Sequence, residues 1–85
     1  MLRHELRVHA PLRDVLRTLD QTDFVSATTD GYLNVVHFAA GVGTARDVAG
    51  ATSLVLFDDH DGVDVARIVD CLRGVGLDVD QEPLD

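Results

Sequence analysis

The chain has no lysine and no tryptophan, one cysteine (Cys71), two prolines and only four aromatic residues among its 85. A single cysteine excludes an internal disulfide and fits a reducing cytoplasm. No apolar run approaches the roughly 18 residues of a membrane span. The start, Met1-Leu2-Arg3-His4-Glu5, alternates charged and apolar residues where a secretory signal needs an apolar block, so the expectation is a cytoplasmic protein with no membrane partner. At this length there is room for one core, and folding hides only roughly 60 to 65% of the unfolded surface, which disfavours an enclosed, water-free active site. A cleft or an open sheet face is the expected working surface.

What is present in excess is aspartate. The 15 acids comprise 13 Asp plus Glu5 and Glu82, the seven basic residues are all Arg, and the net charge is −8. Codon bias explains a missing lysine but not the preference for Asp, so the usage reads as halophilic: a carboxylate-rich surface keeps chains soluble at molar salt, where a Debye length near 3 Å screens their repulsion. The same field has the wrong sign for nucleic acid, whose phosphates need clustered Lys and Arg.

Periodicity then places the elements. Arg3 to His9 alternates, with Leu6, Val8 and Ala10 on the side of His4 and Arg3, Glu5, Arg7 and His9 on the other, predicting a strand with one wet face. Leu12, Val15, Leu16 and Leu19 repeat at helical spacing behind Pro11 and predict a helix over 11–20. Phe24 to Thr28 and Tyr32 to Phe38 predict a hairpin about Asp30-Gly31, in which Thr28 faces Leu33, Ser26 faces Val35 and Phe24 faces a half-buried His37. Residues 39–52, rich in Gly and Ala, are expected as a loop with one short helical turn over 44–49. Leu54 to Phe57 reads as a central strand covered on both faces. Asp61 can cap a second helix carrying Val65, Ile68, Val69 and Leu72, ended by Gly74, and Leu77 and Val79 mark a last strand. Residues 1–80 are thus expected to form a single α+β domain, with 81–85 as a polar tail.

The order β-α-β-β-β-α-β resembles the ferredoxin-like α/β sandwich with an extra strand or insertion before its second helix. That resemblance implies a mixed four- to five-stranded sheet with both helices on one face, and it names no activity.

Three sets of residues can carry chemistry. Asp58, Asp59, His60 and Asp61 stand where an apolar strand ends and a helix begins, and supply oxygen and nitrogen donors suited to a divalent cation; the sequence implies no other cofactor. The run Asp59-His60-Asp61-Gly62 resembles the acidic metal motif of Toprim domains. The glutamate that such domains carry on an earlier strand has no counterpart, so no activity follows from the resemblance. Gly41, Gly43, Thr44 and Arg46 can present backbone N–H groups and a guanidinium to an anion, although Arg46 stands where a dinucleotide fingerprint has its third glycine. Phe24, Leu33, Val35 and His37 are expected to gather on one side of the hairpin as an interface. Because the hairpin and Leu54 to Phe57 carry apolar residues on both sides while two helices cover one, the leading expectation is a non-enzymatic association or regulatory module, homodimeric through its sheet or bound to a protein partner. The alternative is a small metal-dependent or anion-binding enzyme working from segments 41–46 and 58–61.

Overall fold

Two apolar stripes at helical spacing and six alternating runs give the chain its elements, and a computed structural model describes residues 2–30, 33–39, 41–58 and 63–82. They are β1 (Leu2–Val8), α1 (Leu12–Asp20), β2 (Val25–Asp30), β3 (Leu33–Phe38), β4 (Gly41–Val48), β5 (Ala51–Asp58), α2 (Val63–Gly74) and β6 (Val79–Glu82). The fold is α+β, with one six-stranded sheet in the order β2-β3-β4-β5-β1-β6, antiparallel at every pairing. This corrects the expected mixed sheet of four to five strands, and the strand order is not clearly that of a ferredoxin-like sandwich. The extra strand is β4, formed by residues expected as a loop, and β6 continues two residues into the expected tail.

Alternation sorts the strand residues onto two sides. Leu6 and Val8 of β1, Leu54 and Leu56 of β5, Ala45 of β4, Val36 and Phe38 of β3 and Val25 of β2 are buried on one side beneath α1 and α2, which also touch each other. Val15 and Leu19 of α1 and Val65, Ile68, Val69 and Leu72 of α2 complete this core. Each buried Val, Leu, Ile or Phe among them contributes about 1.5 to 3 kcal/mol by leaving water. Burial along β5 alternates without a break, so its apolar run is fully covered on one side only, not on both as expected.

The helix ends follow from local chemistry. Pro11, at φ −60° and ψ 147°, stands outside α1 as its capping residue. At the end of α2 the amides of Gly76 and Leu77 donate to the carbonyls of Arg73 and Leu72 at 3.0 and 3.1 Å, and Gly76 takes φ +90°. The terminating glycine is therefore Gly76, with Gly74 still helical, because only the residue past the last turn must enter the left-handed region. Between the elements, the buried Thr52 hydroxyl donates to the Ala10 carbonyl at 2.9 Å and ties the β1–α1 connection down onto β5.

The β2–β3 hairpin forms with its register displaced. Its pairs are Asp30 with Leu33, Thr28 with Val35, Ser26 with His37 and Val25 with Phe38. Each residue of β2 thus meets a partner two positions further along β3 than Asp30-Gly31 as turn centre requires. A two-residue slip preserves parity, so Leu33, Val35 and His37 still share a side with Ser26 and Thr28. His37 is exposed, not half-buried. Phe24 precedes the strand and packs against the helix-side core, its ring 4.1 Å beneath the Arg67 guanidinium, so it does not face His37.

Candidate interaction face

The Gly-rich segment is a strand because of what its glycines avoid. A Cβ on Gly41 would overlap the carbonyl oxygen of Phe57, and one on Gly43 would stand 2.5 Å from the Val55 carbonyl oxygen. Residues with side chains would hold β4 away from β5, and glycine lets the backbones close. The turn that follows carries positive φ at Ala49 (53°) and Gly50 (85°), the pattern of a tight two-residue hairpin, and the Gly50 amide donates to the Asp47 carboxylate at 3.2 Å.

This arrangement separates the expected anion-binding residues. Gly41 and Gly43 stand on the helix side and Thr44 and Arg46 on the other, with β4 laddered to β5 along its length and to β3 from Gly41 to Ala45. Gly41 pairs with Asp58, whereas Arg46 pairs with Ser53, about 16 Å further along the strand at roughly 3.3 Å per residue. One end of each segment therefore meets the other, while the cation is carried away from it. Asp58 is fully buried at the end of β5; Asp59, His60 and Asp61 lie outside the described residues. Among the described residues no three His, Cys, Asp or Glu side chains gather as they would around a metal ion. Cys71 is half-buried on α2.

The side of the sheet away from the helices is open. Across β3, β4 and β5 its register rows are His37, Val42 and Phe57, then Val35, Thr44 and Val55. Val42 and Leu33 are 39% and 56% exposed, and Val35, Val55 and Phe57 are partly so. None of the open-side positions of these three strands is acidic, although 15 of the 85 residues are. Among the described side chains, acids enter this side on β1 and β6: Glu5 on β1, beside Arg3 and Arg7, and Asp80 on β6. Arg3 pairs with Glu5, and Asp80 accepts from the His9 ring at 2.7 Å, both on exposed surface where such pairs contribute little.

Three of the four expected interface residues, Leu33, Val35 and His37, are therefore on this face and Phe24 is not. Sequence reasoning missed Val42, Thr44 and Phe57. The alternation of Val42, Thr44, Arg46 and Val48 was there to be found, but its inward partners are Gly and Ala, which read as a loop and not as a buried side.

No family model matches the chain, and neither the curated proteins nor the solved structures searched contain a match. Among the described residues no helix is long and apolar enough to cross a membrane.

Proposed function

We propose that this chain is a non-enzymatic association module that pairs with a second copy of itself through the open face of its sheet. The observation that carries the reading is an apolar face without acids at its centre on a chain of net charge −8. Two such chains repel everywhere else; this face lets them approach with apolar contacts at the centre and charges at the rim. Five strands of six to eight residues present on the order of 550 Å² in projection, so two copies bury about 1,100 Å², towards the lower limit for a specific contact. Arg3, Arg7 and Arg46 also stand where a two-fold axis can bring them to the acids of the outer strands.

The frame for this face we read as a ferredoxin-like sandwich enlarged by the β3–β4 hairpin. Setting that hairpin aside leaves β2-β5-β1-β6, in which each helix connects two strands separated by one other. The Asp-rich composition supports a halophilic, cytoplasmic setting, so the measurement belongs in molar KCl. Light scattering there is expected to give a multiple of the 9.2 kDa chain mass, halved by Val42→Asp. A 9.2 kDa particle for the unaltered protein at micromolar concentration would rule this function out.

A further inference from the structure

The two ends of the sheet are guarded differently. β6 has four residues, alternates Asp80 and Glu82 with Val79 and Gln81, and is followed by Pro83, all devices that discourage strand addition. β2 has six residues, Val25–Asp30, pairs with β3 without interruption, and carries no proline, no basic residue and no charge before its last position. Among the described residues nothing pairs with its outer edge. An edge this regular leaves a row of unpaired amides and carbonyls.

What stands beside that edge indicates what pairs with it. Leu16, Arg17 and Asp20 of α1 line a cleft of about 190 Å³ with Ala27, Thr28 and Thr29 of β2. Arg13 lies on the same flank of the helix by its spacing, so the flank reads Arg13, Leu16, Arg17, Asp20. It is basic at its start and acidic at its end, about 10 Å apart at 1.5 Å per residue. Arg13 and Asp20 are exposed and have no ion-pair partner among the described residues, whereas Arg17 reaches Asp14 at 3.2 Å.

We propose that the outer edge of β2 pairs antiparallel with the same edge of a second copy, about a two-fold axis perpendicular to the sheet. The axis reverses every direction in the sheet plane, so the two α1 helices lie antiparallel on one side and Arg13 of each copy faces Asp20 of the other. Residues opposite one another in an antiparallel pair share a side, which permits Ala27 opposite its own copy, Ser26 opposite Thr28 and Val25 opposite Thr29. Small and hydroxyl-bearing side chains meet there, and hydroxyl pairs are favourable across strands. The axis also leaves both open faces on one side of a continuous twelve-stranded sheet. Two such pairs can then close face to face as a four-copy particle with two-fold symmetry throughout. The edge contact uses none of Leu33, Val35, Val42, Val55 and Phe57, the apolar centre of the open face.

The test combines light scattering with amide exchange in molar KCl. The unaltered chain is expected as a four-copy particle. Val42→Asp, which disables the open face, is expected to leave a two-copy particle in which alternate amides of β2 exchange at least tenfold more slowly than on dilution to single chains. In that background Arg13→Asp should raise the dissociation constant about tenfold, from two ion pairs lost per particle, and adding Asp20→Arg should restore it. A Val42→Asp chain that stays single, or β2 amides whose exchange ignores concentration, overturns the edge contact. A two-copy unaltered protein with a single-chain Val42→Asp variant overturns it while leaving the face-to-face reading intact.

Discussion

Leu54 and Leu56 are fully buried, while Val55 and Phe57, their neighbours in the same strand, are only partly so. The same contrast runs through the whole sheet: one side is sealed by two helices, the other displays valines, threonines and arginines to solvent. Of the aspartates in the strands, the sealed side carries Asp58, buried at the end of β5, and Asp47, exposed at its margin near the end of β4. The open side could have carried acids at no structural cost, since charge in water is what the rest of this surface displays. Their absence from the open-side positions of β3, β4 and β5 means that exposure alone does not explain the composition of this face.

The largest expected effect bears on the acids that surround both sides. Lowering KCl from molar to about 0.1 M lengthens the Debye screening distance from about 3 to about 10 Å and is expected to lower the melting temperature, because repulsion among 15 carboxylates returns. A melting temperature that holds or rises would remove the halophilic reading.

On the sealed side, Leu56→Ala is expected to cost about 2 to 5 kcal/mol in urea denaturation, from lost burial and the cavity left behind. Gly43→Ala should cost about 1 to 3 kcal/mol, since its new methyl meets the Val55 carbonyl and the Leu56 side chain at 2.5 Å. A neutral Gly43→Ala would show that β4 and β5 stand further apart than described.

On the open side, Val42→Ala is expected to change the stability of dilute single chains by less than about 0.5 kcal/mol while weakening association. A loss matching that of Leu56→Ala would mean that the single chain already covers this face. Smallest is Ala49→Asn, expected to stabilise by about 0.5 to 1 kcal/mol in the same denaturation measurement. Ala49 sits at φ 53°, where asparagine is tolerated and alanine is strained. An unchanged midpoint would place the turn in another conformation.

Both helices, the edges of β1 and the hairpin of β2 with β3 were legible, because each rests on a periodicity carried by large apolar residues. The β4–β5 hairpin was hidden twice over. Its turn is Ala49-Gly50, without the Asn-Gly or Asp-Gly pair that announces such turns, and its inward residues are Gly41, Gly43 and Ala45, which carry almost no hydrophobic signal. Half of the candidate face went unseen with it. Arg46 and Gly41, adjacent enough in sequence to suggest one anion site, were separated as soon as β4 became an extended strand.

Local properties of the chain determined what depends on near neighbours: helical stripes, alternation, the Asp-rich and lysine-free surface, and the side shared by Leu33, Val35 and His37, which survives a two-residue slip because strand parity has period two. Tertiary structure alone decided which strands lie side by side, that β1 runs between β5 and β6, and that β4 closes on β5 at two glycines. Those are long-range choices, set by which backbones can approach and which faces the helices reach, and no window of a few residues contains them.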